Sequence, residues 1–340
     1  MRSARFRPFL LAACTGVLVA CASTPDVRAP IAVSASAPAP VKVGIALGGG
    51  AAKGFAHIGV IKMLEANGIV PVVVSGTSAG SVVGALYASG MDAYAMQEKA
   101  FALDEARIRD VSLFSGGVVK GQKLQDYVNE LVDNRPLEKM RKPLAVVATR
   151  LEDGKASVFV RGNTGQAVRA SSSIPGVFEA VAIDKAHYVD GGVVSPVPVD
   201  AARQLGAEFV IAVDIGSKAQ GIASAASMLG NVNQSIKIMG TKLAAQELAR
   251  ADIVIRPEVN DIGAADFAQK NRAILEGERA AQAALPQIKA RLAALQAQRT
   301  AAARQAADAE AARQREAERR QRCARQQGWL DTLKRDPDCR

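Results

Sequence analysis

The chain has 340 residues and a net charge of +10, from 43 Lys/Arg against 33 Asp/Glu, while aromatic residues make up only 4%. From Ala281 onward there are 13 Lys/Arg and 7 Asp/Glu, so most of the excess charge belongs to the tail. Aromatic side chains are almost absent there, which excludes a base-stacking surface for nucleic acid.

Arg2, Arg5 and Arg7 precede a short apolar run, Phe9 to Ala20, too short to cross a membrane and placed as in a secretory signal. Leu18-Val19-Ala20-Cys21 resembles the bacterial lipobox. That resemblance implies a signal peptide over 1–20, with Cys21 lipidated as the first mature residue. Ala22 in place of Asp implies sorting to the periplasmic face of the outer membrane. An ordinary signal peptide and an uncleaved anchor are the other readings of the same residues. Residues 21–40, rich in Pro, Ala and Ser, hold too little apolar surface to offset ordering entropy and are expected to be a flexible tether.

From 41 to 259 apolar runs alternate with glycine-bearing turns and amphipathic stretches, the pattern of one α/β domain with a substantial core. Val43–Leu47 is expected to be its first strand. The segment Gly48-Gly49-Gly50-Ala51-Ala52-Lys53-Gly54 follows, and then a helix through Ile58, Ile61 and Leu64. Consecutive glycines after a strand let backbone N–H groups converge into an anion-binding nest. The anion is either a nucleotide phosphate or the oxyanion of an acyl-transfer intermediate. The phosphate fits poorly: Lys53 precedes Gly54, no hydroxyl residue follows it, and G-x-G-x-x-G is missed by one position.

Val70 to Ser75 is β-branched and apolar and is expected to be a buried parallel strand, with a helix over Ser81–Ser89 ending at Gly90. Between them Gly76-Thr77-Ser78-Ala79-Gly80 matches G-x-S-x-G. In a nucleophile elbow Gly76 and Gly80 would give the room that a strained turn needs, and Ser78 would be exposed above the sheet. On its own this pattern also describes a tightly packed βα turn. A serine nucleophile needs a base. His57, inside a helix, and His187, in a charged turning segment, carry no local signature for that role. Asp190 is better placed: a short strand, His187 to Val189, leads into Asp190-Gly191-Gly192, and two glycines leave its carboxylate unobstructed. Partial desolvation would raise its basicity toward that of a useful general base.

Residues 260–340 are dominated by Ala, Gln, Arg and Glu, strong helix formers. Pro286 is expected to divide this extension into two helices, the first able to pack on the domain. The basic tail reads either as a solvated helical face or as a contact for anionic lipid or cell-wall polymer. Cys323 and Cys339 bracket a short loop, consistent with a disulfide in an oxidising compartment; neither histidine lies near them, and no metal site is expected.

Taken together, GGGAAKG, GTSAG and DGG, in that order, with ASSSIPGVFEAV at Ala170–Val181, resemble the bacterial branch of the patatin-like phospholipases over about Val43 to Ile215. The resemblance implies a three-layer α/β/α fold with a mostly parallel sheet, here followed by a C-terminal helical extension. It further implies a Ser78–Asp190 dyad, an oxyanion hole from the N–H groups of Gly49, Gly50 and Ala51, and no cofactor. Phospholipids, lysophospholipids or other acyl esters would be the substrates, with selectivity set by loops such as Leu113–Gln122. A membrane partner would be reached through the N-terminal lipid. The competing reading is a non-catalytic envelope lipoprotein that uses the same fold as a scaffold to present its basic tail.

Overall fold

The computed structural model describes residues 38–104, 108, 110, 119–216 and 228–325. Cys21, the signal segment, most of the tether and Cys339 therefore lie outside the described residues. Two units are present: Pro38–Ala302, and a second whose described residues are 303–325.

Within Pro38–Ala302 the strands are β1 (Val43–Leu47), β2 (Val73–Thr77), β3 (Leu144–Arg150), β4 (Ala156–Phe159), β5 (Val181–Ile183), β6 (Ala186–Asp190), β7 (Phe209–Val213) and β8 (Ile253–Ile255). They form one sheet in the order β5-β6-β3-β2-β1-β7-β8, with β4 also paired to β3. Neighbours from β3 across to β8 run parallel, whereas β4, β5 and β6 join antiparallel. The helices are α1 (Phe55–Ala66), α2 (Ala79–Ala88), α3 (Ala93–Phe101), α4 (Gln122–Leu131), α5 (Thr164–Ser171), α6 (Val199–Gln204), α7 (Met228–Leu248) and α8 (Lys270–Arg325).

Alternation along β1 explains the layers. Val43, Ile45 and Leu47 point into a large core shared with α1, α2, α3 and α8, while Ala46 points into a smaller core with α6 and α7. β7 divides in the same way, Phe209, Ile211 and Val213 to one side and Val210 and Ala212 to the other. Burial on both faces is why these strands read as continuous apolar runs. The result is a three-layer α/β/α arrangement. Because β1 has β2 on one side and β7 on the other, the strand order reverses beside it, and the loop after β1 opens onto the crevice where open α/β sheets bind ligands.

Two expectations are corrected. The second strand starts at Val73, not at Val70: Val70 and Val72 are largely exposed ahead of it. And α8 runs through Pro286 without a break. A proline inside a helix costs about 3 kcal/mol, but Ala281, Leu285 and Ile288, on both sides of it, are buried in the large core and hold the helix on course. The compact unit continues to Ala302. Beyond that point α8 is polar, with Glu316 paired to Arg319 and Arg320. Cys323 is disulfide-bonded.

Ile288 is fully buried. Ile288→Ala is expected to lower unfolding stability by about 2–5 kcal/mol in urea titration of the full chain. An unchanged midpoint would show that α8 contributes nothing to the core.

Candidate active site

β2 is buried throughout and ends at Thr77; α2 begins at Ala79. Ser78 alone makes the turn, with φ 53° and ψ −125°. A positive φ is costly for a residue with a Cβ and persists only where surrounding structure enforces it. Here the enforcement is close packing. A Cβ on Gly76 would stand 2.4 Å from the Gly80 carbonyl oxygen, and one on Gly80 would stand 2.1 Å from that of Leu47. The Ser78 N–H donates to Ser171 Oγ at 2.9 Å, and that hydroxyl in turn donates to the Val147 carbonyl at 2.5 Å. The Ser78 carbonyl accepts from both the N–H and the hydroxyl of Ser81.

β3 brings Asp190 to this turn. Thr77 is paired with Val147, and Asp190 with Ala148, the next residue along the strand. Oδ1 of Asp190 accepts from Gly192 N–H at 2.7 Å, and Ser78 lies close enough to the same carboxyl group to pull its pKa down. The backbone of Asp190 is held at both ends: its N–H donates to Ser173 and its carbonyl accepts from Thr149 Oγ1. Burial pushes the carboxyl pKa up to about 6, against the opposing pull of the Ser78 and Gly192 hydrogen bonds.

The glycine loop lies on the other side of Ser78. Gly48 N–H donates to Val213 and Gly49 N–H donates to the Pro196 carbonyl, each at 3.0 Å. Gly49 is therefore already engaged, and the expected nest of Gly49, Gly50 and Ala51 narrows. Among the described residues, the amides of Gly50 and Ala51 have no such acceptor. Ala51 also has a positive φ, 50°. It and Ser78 are the strained residues that no Asp or Asn side chain helps to relax; the others among the described non-glycine residues are Asp133, Asn134 and Asp184.

Neither histidine bonds to Ser78. His57, wholly buried, donates from Nε2 to the Gly48 carbonyl at 2.8 Å, and its Nδ1 has no partner among the described residues. Burial pushes its pKa down to about 4, so the ring is neutral and serves as a prop for the loop. His187 sits on β6 beside Glu152, 3.0 Å away. Lys53 is buried at the end of the loop; burial first, then repulsion from Lys237, lowers its pKa to about 8, with Asp214 acting the other way. It stays cationic at neutral pH.

A cavity of about 350 Å³ opens at Ser78, with apolar walls that include Val82, Val83, Leu124, Tyr127, Ile174 and Phe178. Most of the loop expected to set selectivity, Leu113–Gln122, lies outside the described residues, though Val119 lines the cavity. No sequence motif marks a role for Ser195 or Glu247, and Ser171 carries none of its own. Ser171 sits inside the quoted ASSSIPGVFEAV stretch, but Glu247 is far along the chain with no motif around it.

Residues 45–203 match the family model described as patatin-like phospholipase. The chain carries a patatin-like phospholipase domain. It is 35% identical over 197 residues to an uncharacterized NTE family protein of Mycobacterium tuberculosis, a match covering 57% of this chain and 55% of that one. Lysophospholipase nte1 of Aspergillus niger is 33% identical over 181 residues, 52% of this chain and 12% of its own. The match thus spans about half of the mycobacterial relative and a small part of the fungal one. The crystal structure of VipD from Legionella pneumophila superposes with a TM-score of 0.53 at 15% identity, covering 73% of this chain and 67% of that one, a likeness of fold.

A carboxyl whose folded pKa is raised contributes most to stability when protonated, and that contribution is lost as pH rises from 3.8 through about 6. Asp190→Asn removes the buried charge. It is expected to stabilise the patatin-like domain at about pH 8 by on the order of 2–3 kcal/mol, with the gain vanishing near pH 4. Urea midpoints across that range check this; a variant less stable than wild type at the higher pH would contradict it.

Proposed function

We propose that the domain is a serine acyl hydrolase that cleaves fatty-acyl esters of phospholipids or lysophospholipids through a Ser78–Asp190 dyad. The observation that carries this reading is the strained Ser78 beside a buried, basicity-raised carboxyl, at the mouth of an apolar cavity. The similarity to a protein named lysophospholipase supports the substrate class.

Ser78 Oγ attacks the ester carbonyl carbon while Asp190 accepts its proton, which a carboxylate can do only when ionised. The carbonyl π-bond electrons move onto oxygen, and that oxyanion is received by the free amides of Gly50 and Ala51. The amino end of α2 and the cationic Lys53 add a favourable field. Collapse breaks the bond to the alkoxy oxygen, which leaves with the proton from Asp190 as a lysolipid or glycerophospho-alcohol. Asp190 then deprotonates a water that attacks the acyl-serine, giving fatty acid and free Ser78. The acyl chain lies in the apolar cavity, where each buried methylene contributes about 0.8 kcal/mol.

At its N-terminus the mature chain begins at lipidated Cys21 and works at the periplasmic face of the outer membrane. The lipobox-like Leu18–Cys21 supports this placement.

Ser78→Ala is expected to abolish both ester turnover and labelling by a fluorophosphonate probe, with at least about a thousandfold loss in kcat. Esters of graded chain length assayed with wild type and variant provide the check, and retained turnover in Ser78→Ala would sink the mechanism. Cys21→Ser is expected to move the protein from membrane to soluble fractions; equal membrane association would defeat the anchor.

A further inference from the structure

Glu247, on α7, is buried and takes no part in the acyl-transfer steps above. Both of its oxygens are nevertheless engaged. Ser195 Oγ donates to Oε1 at 2.5 Å, and the Val197 N–H donates to Oε2 at 2.8 Å. Between those two residues lies Pro196, whose carbonyl accepts the Gly49 N–H at 3.0 Å. The carbonyl of Ser195 accepts from Thr77 Oγ1 at 2.8 Å, immediately before the nucleophile. The Ser195 N–H, in turn, donates to the Gly191 carbonyl at 2.8 Å, next to Asp190. One carboxylate thus fixes a three-residue strap that bonds to the glycine loop, the elbow and the D-G-G turn.

We propose that Glu247 is a positioning residue that sets the oxyanion loop relative to Ser78 through the strap Ser195–Val197. The proposal rests on the acyl-hydrolase reading for its consequence, though not for its geometry. Holding the Gly49 N–H against Pro196 fixes the start of the turn from which the Gly50 and Ala51 amides project. Oxyanion stabilisation depends on donor placement at the scale of a few tenths of an ångström, so loosening this point lowers kcat more than substrate affinity.

Ionised, Glu247 accepts from both donors; protonated on Oε1, it would donate to the Ser195 hydroxyl and still accept from Val197 N–H. The charged groups facing it are Asp200 from α6 and Arg250 just beyond α7, which pair with each other at 2.7 Å and largely offset. Burial dominates and pushes the Glu247 pKa up to about 7, against the pull of the Ser195 and Val197 hydrogen bonds.

Hydrogen exchange and steady-state kinetics on the full chain, as wild type, Glu247→Gln and Ser195→Ala, test this. Both variants are expected to exchange the Gly48–Gly49 amides about tenfold faster, with β3 amides unchanged. On acyl esters kcat is expected to fall about tenfold with KM within about twofold. The kcat/KM profile of wild type should rise as Asp190 ionises, and Glu247→Gln should keep that rise. Glycine-loop exchange unchanged in folded Glu247→Gln overturns the proposal, whether or not the chain hydrolyses esters. Should that variant not fold, Ser195→Ala, which keeps the Val197 bond, is held to the same criterion. A wild type without esterase activity would count against the acyl-hydrolase reading, and the exchange result would still decide the strap.

Discussion

The site depends on one register. β3 pairs Thr77 with Val147 and Asp190 with Ala148, so two strands that approach from opposite directions end one residue apart. Hydrogen-bonded strands allow little error at such a junction, because a slip of one residue would turn Asp190 to the other face of the sheet. The elbow then converts proximity into contact. With φ held at 53°, Ser78 turns out of the strand direction beside the Asp190 carboxyl group. Packing of Gly76 and Gly80 against backbone atoms fixes the turn, and the core on both faces of β1 and β2 holds the packing.

Burial shifts the pKa of four titratable groups around that junction. It lifts the carboxyls of Asp190 and Glu247, keeps His57 neutral and brings Lys53 down. The cause is common to all four: a charged form loses hydration in the interior. The consequences differ with the partners each group has. Asp190 becomes a better base with a hydroxyl in contact, and Glu247 becomes a clamp on the Ser195–Val197 strap. His57, with its one hydrogen bond on the Gly48 carbonyl, becomes a strut. Neither of the two histidines bonds to the buried Ser78; they reach the Gly48 carbonyl and Glu152 instead.

Much of this was legible from residue order. Glycines on both sides of Ser78 and after Asp190 signal close backbone approach, and each of these turns lies at a strand end. The β-branched and apolar runs of β1 and β7 announce burial on both faces. What could not be read was tertiary. Gly49 looks equivalent to Gly50 and Ala51 until Pro196 takes its amide. Pro286 looks like a break until buried side chains on either side of it are seen to anchor α8. Val70 and Val72 have strand propensity but stand ahead of β2, and propensity alone does not bury them. Glu247 carries no local pattern at all; its role exists only because the chain returns α7 to the strap after Gly192.

The central claim is the contact between the Ser78 hydroxyl and a buried Asp190 carboxylate. Carbon-13 NMR titration of the Asp190 carboxyl group, in wild type and Ser78→Ala, tests it most directly. In wild type the carboxyl should titrate near 6, and removing the hydroxyl should move its pKa further up, since that hydrogen bond favours the ionised form. Titration in the ordinary aspartate range, or a value indifferent to Ser78→Ala, would contradict the account.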